Sequence, residues 1–450
     1  MLIGQTLSEV ESYYDGLVPA IYSPNKFPEG FILKHWSLDP EIIHRPMINT
    51  IIDGSAATIR PISMLDLEFL SNKTVRLAKN GSIDLVKDYP CGLKCPGCFS
   101  EESIYGDIKN LMYWQEVMQV VEDAKAIGLK TAKFLGPGEL FQNPDVFDIL
   151  DAFKQRNIIF SIFTKGAELG SDELARQVYG KFGINSAKEL VRRIAEYDNI
   201  RILLGFNSFF PDRQDKMVGS FHITSDYQMV NGTFDRKGVT NYTEKRNQAL
   251  VNLVEAGFND PKGEQRLTLI ADPVGLDQID EIPSMYTWAA LRNMPLIITP
   301  TMESGPKSIG LSMYNLRRDP SHSRIIELIE VIYTTALENG ILSIEQIKEE
   351  GISAYFGTKP CDQVANGLFI RLNGRVQMCP GRSDKSATYG NVHQEPLAKI
   401  WMNSPNYKLG PISNNWCPAK TSGLPSTVQE EVMSRLLRKQ KPTEKVRSKT

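Results

Sequence analysis

Three cysteines lie within eight residues of one another, in the segment Cys91-Gly-Leu-Lys-Cys95-Pro-Gly-Cys98. Three thiolates on one short loop can hold three irons of a cubane cluster, which a fourth cysteine normally completes. The spacing therefore predicts a 4Fe-4S cluster whose fourth iron is left open for a substrate or a cofactor. A structural zinc site is the first alternative, but it usually has two C-x2-C pairs and four ligands, and only one such pair is present in this loop. Chance clustering of buried thiols is the second alternative.

The segments that must position this loop alternate between strand and helix patterns from about residue 76 to residue 320. Short β-branched runs predict strands, and amphipathic stretches between them predict helices. The predicted strands are 83–87, 131–135, 158–163, 200–205, 266–271 and 295–299, and the predicted helices are 110–126, 145–154, 187–196, 244–255 and 276–291. Six strands that are each followed by a helix imply an α/β fold with a parallel sheet. An α/β barrel places its chemistry at the carboxyl ends of its strands, and the cysteine loop follows the first predicted strand.

The C-x3-C-x2-C spacing after a first strand resembles the radical S-adenosylmethionine (radical SAM) superfamily. The resemblance implies a partial (β/α)6 TIM-type barrel and a 4Fe-4S cluster on Cys91, Cys95 and Cys98, whose free iron is chelated by SAM. Reductive cleavage of SAM would give methionine and a 5′-deoxyadenosyl radical that abstracts hydrogen from a substrate. The family usually has an aromatic residue just before the third cysteine. That position is Gly97 here, and Phe99 follows instead as the candidate contact to the adenine.

Glycines and polar side chains after the second and third predicted strands are candidates for holding SAM. Gly136-Pro-Gly138-Glu139 resembles the family's Gly-Gly-Glu motif, which binds the SAM amino group. Glycines let the backbone approach a ligand closely, and Glu139 could accept a hydrogen bond from a cationic amine. Thr164, in Thr164-Lys-Gly166, stands where the family often has a Thr-Asn-Gly-like stretch, so that a ribose or carboxylate contact is expected. The alternative for Gly136–Glu139 is a turn that caps the next helix, and the alternative for Thr164-Lys-Gly166 is a simple turn.

Further polar residues follow the fourth, fifth and sixth predicted strands. Asn207 and Ser208 interrupt an apolar run, and buried polar side chains need partners that a ligand can supply. The resemblance assigns Ser208, and less specifically Asn207, to the SAM ribose or carboxylate. Asp272 and Glu303 would face the barrel mouth, where a carboxylate could orient a substrate or move a proton. The alternative for all four is capping of the segment that follows.

A second cysteine pattern lies near the end of the chain. Cys361 and Cys379 flank an alternating hairpin pattern with Asn373-Gly374 at its turn, a strong hairpin signal. Together with the run from Tyr389 to Trp401, this stretch resembles the SPASM/twitch extension of radical SAM enzymes, which holds auxiliary 4Fe-4S clusters. The resemblance implies one auxiliary cluster on Cys361, Cys379 and Cys417, whose fourth ligand stays open. The alternative is a free Cys417 and a hairpin that binds zinc or no metal.

The composition is that of an ordinary globular protein. A chain of 450 residues, 41% apolar and 23% charged, can bury a large core and predicts two or more domains. The net charge of −2 gives no field that would favour nucleic acid or an acidic membrane. No run approaches the ~18 apolar residues of a spanning helix, and the first residues lack a signal-peptide pattern. Six clustered cysteines indicate metal binding in a reducing compartment, so that we expect a cytoplasmic protein.

These patterns predict four segments. They are an N-terminal extension of unknown role (1–75), the radical SAM partial barrel (76–320), a twitch/SPASM-like auxiliary-cluster domain (321–425) and a helical, then basic tail (426–450). Within the extension the sequence predicts helices over Ser8–Leu17 and Met64–Leu70.

The resemblance implies an enzyme that abstracts hydrogen from a peptide or from a small polar metabolite such as a sugar. The outcome would be oxidation, crosslinking or epimerisation. Such an enzyme needs an electron donor, such as flavodoxin or ferredoxin. The alternative from another class is a non-catalytic iron–sulfur or zinc-binding protein. Formation of 5′-deoxyadenosine from SAM by a protein with about eight irons separates the enzyme from a protein with two tightly bound zincs.

Overall fold

The computed structural model describes residues 5–33, 45–71, 93, 95, 98, 110–219, 241–271, 278–298, 322–353, 355–359, 361, 363–381, 388–409 and 426–440. The strands are β1 (Ile48–Ile52), β2 (Ser55–Ile59), β3 (Met64–Glu68), β4 (Thr131–Gly136), β5 (Ile159–Thr164), β6 (Ile200–Gly205), β7 (Leu267–Ala271), β8 (Leu296–Ile298), β9 (Gly367–Ile370), β10 (Arg375–Gln377) and β11 (Gly390–Asn391).

The helices are α1 (Leu7–Leu17), α2 (Trp114–Ala126), α3 (Val146–Gln155), α4 (Asp172–Tyr179), α5 (Ala187–Ala195), α6 (Pro211–Met217), α7 (Tyr242–Glu255), α8 (Ile282–Ala290), α9 (His322–Glu338), α10 (Ile344–Glu350), α11 (Gln363–Asn366), α12 (Leu397–Asn403), α13 (Pro405–Lys408) and α14 (Ser426–Gln440). Of the helices that the structure describes, none combines the length and the hydropathy needed to cross a bilayer.

Nine strands form one sheet in the order β11-β10-β9-β3-β4-β5-β6-β7-β8. The strands from β9 through β3 to β8 pair in parallel, and β10 and β11 are added antiparallel at one end. The six strands β3 to β8 are parallel neighbours and are separated in the chain by helices. This topology confirms the predicted α/β class with a partial (β/α)6 barrel.

Five of the six predicted barrel strands agree with β4 to β8 within one residue at each end. The five predicted helices between them correspond to α2, α3, α5, α7 and α8, and the predicted N-terminal helix corresponds to α1. The sequence did not predict α4, a two-turn helix whose N-cap is Ser171; the Ser171 hydroxyl accepts from the backbone N–H of Leu174. The predicted strand 83–87 lies outside the described residues.

The first strand of the sheet corrects the prediction of a helix over Met64–Leu70. Residues Met64–Glu68 form β3, which pairs with β4 on one side and with β9 on the other. All five residues are buried, and a strand between two neighbours buries both of its faces while pairing its whole backbone. The pairing overrides the helix propensity of Met, Leu and Glu. The sheet therefore begins before residue 76 and takes in strands from the predicted C-terminal domain.

The strand register gives the sheet two chemically different faces. Successive side chains alternate, so that the outer face carries Leu65, Phe134 and Phe160, which pack into the main core with the helices. Phe160 stacks on Phe153 of α3 with ring centroids 3.8 Å apart. The inner face carries the intervening residues, and several of them are polar.

The N-terminal residues pack on both ends of the sheet. Tyr14 of α1 is fully buried, and its hydroxyl donates to the carbonyl of Phe209 (3.2 Å) and accepts from the guanidinium of Arg246 (2.7 Å). The Arg60 guanidinium lies 4.7 Å from the ring centroid of Trp401 and 5.1 Å from that of Tyr407. These contacts give the described part of residues 1–75 a structural role that the sequence did not reveal.

Candidate functional site

The carboxyl end of β4 leads into a turn that delivers a buried carboxylate. Gly136 and Gly138 have φ angles of +131° and +81°. Residues other than glycine rarely adopt such angles. Glu139 follows and is 6% exposed. Its carboxylate accepts from the Thr164 hydroxyl (2.5 Å) and from the Lys165 backbone N–H (2.9 Å). The predicted SAM residues of two neighbouring strand ends are thus brought together.

The hydrogen bonds at this strand end fix which atoms are available to a ligand. The Thr164 hydroxyl donates to Glu139 and accepts from the Gly166 backbone N–H at 2.9 Å, so that Thr164 orients Glu139. Burial raises the pKa of Glu139, and the donors from Thr164 and Lys165 oppose that rise. A carboxylate held by neutral donors in a buried site is suited to a cationic partner.

Part of the cysteine loop lies at the same place. The Cys98 backbone N–H donates to the Cys95 carbonyl at 3.1 Å, so that both cysteines lie on one turn. Cys95 packs against Leu93 and Tyr242, among other apolar residues. Burial raises the pKa of the Cys95 thiol; the positive charge of Lys165 opposes this rise and the negative charge of Glu139 adds to it. The structure therefore places Cys95 beside the groups at the ends of β4 and β5.

Asn207 and Ser208 lie at the end of β6, but their described contacts are internal. The Ser208 hydroxyl donates to Glu281 at 2.7 Å and accepts from the Phe210 backbone N–H at 3.0 Å. The Gln214 side-chain oxygen accepts from the backbone N–H groups of Asn207 (2.7 Å) and Ser208 (3.1 Å). This network holds the start of α6. The contact of these two residues with SAM stays a prediction.

The inner face of the sheet holds charged residues that sequence reasoning missed. Lys133 on β4 and Asp66 on β3 are opposite each other in register, and their charged atoms are 3.1 Å apart. Burial raises the pKa of Asp66 to about 6, against the effect of the Lys133 charge. On the neighbouring strand end, Arg371 lies 3.8 Å from Glu68. The available signal was a charge in the middle of each apolar run.

The C-terminal hairpin is confirmed by β9 and β10, which pair antiparallel around Asn373-Gly374. Gly374 has a φ of +77°, as this turn requires. The Cys379 sulfur accepts from the Gly381 backbone N–H at 3.3 Å. The charges of Cys361 and Cys379 both raise the pKa of Lys133 against the larger, lowering effect of its burial. Both cysteines therefore lie close to the inner face of β4.

Cys361 contacts an apolar patch on that inner face. The patch consists of Leu203, Ile270, Ile297 and Tyr355, with the half-buried Phe163 packed against it. Phe163 in turn lies 5.4 Å, at its ring centroid, from the Lys165 ammonium. Phe163 therefore contacts both Lys165 and the apolar patch against which Cys361 packs.

Several predicted site residues lie outside the described part of the chain. They are Cys91, Phe99, Asp272, Glu303 and Cys417. Among the residues that the structure describes, no three Cys, His, Asp or Glu side chains form a group that could hold a metal ion.

The described donors fit iron–sulfur sites. Two thiols on one turn and an amide hydrogen bond to a cysteine sulfur are features of such sites, because hydrogen bonds to sulfur tune the cluster. The arrangement offers two described cysteines at each of two places on one sheet. One further predicted ligand for each place, Cys91 or Cys417, lies outside the described residues.

Residues 361–419 match the family model of SPASM, an iron–sulfur cluster-binding domain. The chain therefore carries a segment of this type, and the match confirms the prediction of a SPASM/twitch-like segment near the end of the chain. Together with the observed partial barrel, it agrees with the resemblance that the sequence indicates. A comparison with curated proteins gave no match.

Solved structures similar to this chain include Streptococcus suis SuiB bound to S-adenosylmethionine, at 14% identity over 78% of this chain and 67% of SuiB, with a TM-score of 0.46. SuiB bound to precursor peptide SuiA is similar at 15% identity over 77% of this chain and 66% of SuiB, with a TM-score of 0.44. Native anSMEcpe with bound AdoMet and Cp18Cys peptide is similar at 13% identity over 78% of this chain and 82% of that chain, with a TM-score of 0.40. The chain thus spans about two thirds of SuiB. No activity follows from likenesses with TM-scores below 0.5.

Proposed function

We propose that this protein is a radical SAM enzyme with one auxiliary iron–sulfur cluster. The observation that carries the proposal is the meeting of Cys95 with Glu139 and Lys165 at the carboxyl ends of two parallel strands. This is the edge where an α/β barrel performs its chemistry. The SPASM match over residues 361–419 supports the second cluster.

Each residue of the first site has a distinct task. Cys91, Cys95 and Cys98 hold a 4Fe-4S cluster. Gly138 lets the backbone approach SAM, and Glu139 accepts from the SAM amino group while Thr164 and the Lys165 amide hold the carboxylate in place. When bound, the cluster and SAM supply the reductive cleavage and the hydrogen abstraction, and the protein positions and shields the reacting groups.

The second site completes the inner face of the barrel. Cys361, Cys379 and Cys417 hold the auxiliary cluster, and the apolar residues around Cys361 exclude water from its neighbourhood. The substrate, a peptide or a small polar metabolite, binds between the two sites, beside Phe163. We assign Phe99 to the adenine of SAM, and Asp272 and Glu303 to orienting the substrate or moving its proton. A flavodoxin- or ferredoxin-type protein supplies electrons.

The test is anaerobic reconstitution with iron and sulfide, followed by assay of 5′-deoxyadenosine from SAM. The wild-type protein should hold about eight irons and form 5′-deoxyadenosine. Cys95→Ala should lose about four irons and reduce product to background. The matched variant Cys361→Ala should also lose about four irons but should still cleave SAM, because it leaves the first site intact.

Two results would overturn the proposal. One is two tightly bound zincs in place of clusters, which would support a structural metal protein. The other is a reducible protein with about eight irons that forms no 5′-deoxyadenosine, which would indicate electron transfer without SAM chemistry.

A further inference from the structure

A second buried carboxyl group lies next to Glu139, on the loop after β5. Glu168 is 1% exposed. One of its oxygens, Oε1, accepts from the side-chain amide of Gln142 at 2.7 Å. The other, Oε2, is buried and has no hydrogen-bond partner among the described residues. Buried polar atoms are almost always paired, so the open Oε2 needs an explanation.

Gln142 connects the two carboxyl groups. It ends the short 3₁₀-helix Leu140–Gln142, which Glu139 precedes directly. Glu139 accepts from the Thr164 hydroxyl and the backbone N–H groups of Lys165 and Gly166, whereas Glu168 accepts from the Gln142 amide and from its own backbone N–H. Two neighbouring carboxyl groups in a buried site do not both ionise readily, because their negative charges repel each other. Glu139, whose carboxylate has more hydrogen-bond donors, is therefore the ionised member of the pair. Glu168 is the member that keeps a proton.

The surroundings of Glu168 support this division. Burial and the charge of Glu139 raise the pKa of Glu168 to about 7. Among the residues that the structure describes, the other titratable group that interacts with Glu168 is Tyr179 of α4, whose pKa is raised well above its usual value by burial, so that the phenol stays neutral. The Tyr179 hydroxyl donates to the carbonyls of Phe141 and Asn143.

We propose that Glu168 is a positioning residue of the SAM site that holds Gln142 and the Glu139 loop and releases its proton to solvent when a cationic ligand binds at Glu139. This inference rests on the proposed function, which places SAM there. The step is a simple ionisation: the Glu168 O–H bond breaks, its electron pair stays on the carboxylate, and no electrons are transferred.

The physical reason is charge balance in a buried site. SAM brings positive charge close to both carboxyl groups, from the amino group that Glu139 binds and from the sulfonium, and a nearby positive charge favours the ionised form of Glu168. Linkage then requires SAM to bind more tightly as pH rises. The effect ends above about pH 7, where Glu168 is already ionised in the free protein.

The experiment is isothermal titration calorimetry of the cluster-loaded protein with SAM, in buffers of different ionisation enthalpy between pH 6 and 8.5. The number of protons released is compared between the wild type and Glu168→Gln, which preserves shape and can still bond to Gln142. The matched control is Glu173→Gln, an exposed acid on α4. The SAM amine can release a proton of its own, but the difference between variants cancels that contribution.

We expect the wild type to release up to about one proton more than Glu168→Gln near pH 6, and the excess to fall toward zero by pH 8.5. The dissociation constant of the wild type should fall up to about tenfold per pH unit below pH 7, relative to that of the variant. S-adenosylhomocysteine, which lacks the sulfonium charge, should release fewer protons than SAM. Glu173→Gln should behave like the wild type.

Equal proton release from the wild type and Glu168→Gln would overturn the inference. If that variant fails to hold its clusters, the wild type alone still decides, because a proton number independent of pH and equal for SAM and S-adenosylhomocysteine contradicts it. A protein that forms 5′-deoxyadenosine but shows no such proton refutes only this inference. A protein that binds no SAM refutes the proposed function, and this inference falls with it.

Discussion

The two faces of the central sheet are built from the same strands but carry different chemistry. The outer face of β3, β4 and β5 carries Leu65, Leu67, Ala132, Phe134, Phe160 and Ile162, which pack into one core with the helices. The inner face carries Asp66, Lys133 and Ser161 side by side in register, all buried. Charged groups are seldom buried without a purpose, because removing them from water is costly. The comparison indicates that the outer face stabilises the fold, and it leaves the polar groups of the inner face available to the proposed function.

The largest expected effect is a loss of stability when the packing of the outer face is disrupted. Phe160→Ala removes a fully buried ring that stacks on Phe153, and such a truncation costs roughly 3–5 kcal/mol. Urea denaturation of the cluster-free and cluster-loaded protein measures the loss. The matched control is Phe182→Ala, whose side chain is 54% exposed, and it should change the free energy of unfolding by less than about 0.5 kcal/mol. Equal losses for both variants would contradict a stabilising role of the outer face.

The next effect concerns the buried ion pair of the inner face. Replacing a buried pair with apolar residues is often neutral or stabilising, by about 1–4 kcal/mol. The double variant Asp66→Leu/Lys133→Met should therefore unfold at the same urea concentration as the wild type or at a higher one, although its inner face is altered. A loss of more than about 2 kcal/mol would show that the pair is structural.

The same pair gives a pH signature. The folded state raises the pKa of Asp66 to about 6 from 3.8, so that the folded state binds this proton more tightly than the unfolded state. The stability contribution is therefore fully present below pH 3.8 and is lost as pH rises through 6. The double variant should lack this dependence in urea melts between pH 4 and 7.

A smaller effect separates structure from ligand contact at the end of β6. Ser208→Ala leaves the buried Glu281 without one donor, which costs about 1–3 kcal/mol of stability. Because the hydroxyl is already engaged, we expect the affinity for SAM to change less than about twofold. The exposed Ser434→Ala on α14 is the stability control. A tenfold loss of SAM affinity with unchanged stability would instead support a direct contact.

The smallest effect distinguishes the two cysteine sites within the inner face. Lys165→Met removes positive charge beside Cys95, and Lys133→Met removes it beside Cys361 and Cys379. Each variant should lower the reduction potential of its own cluster more than that of the other, because nearby charge tunes such potentials. Redox titration followed by electron paramagnetic resonance measures both. Equal shifts of the two clusters in each variant would place both lysines at one site.

The sequence predicted the strands that carry local signals and missed what depends on pairing. β4 to β8 are β-branched runs bounded by turn residues, so their positions could be predicted. Met64–Glu68 consists of residues that suit a helix, and only its two neighbours in the sheet make it a strand. The ion pair of Asp66 and Lys133 arises from register, which no local pattern contains.

The candidate site shows the same limit. Glu139 and Thr164 were both predicted as ligand contacts from motif-like stretches, but their bond to each other depends on adjacent strand ends. Glu168 gave no sequence signal, because an acid in a loop is ordinarily solvated. Its burial follows from the packing of α4 and the 3₁₀-helix above it.

The position of β3 between β4 and β9 has a consequence for the integrity of the chain. The hairpin that begins at Gly367 contributes β9, which pairs with one edge of β3. A protein shortened before residue 361 would expose that unpaired edge, which invites strands from other molecules. We therefore expect the truncated barrel to aggregate rather than to fold. The two cysteine-containing regions should depend on each other for folding.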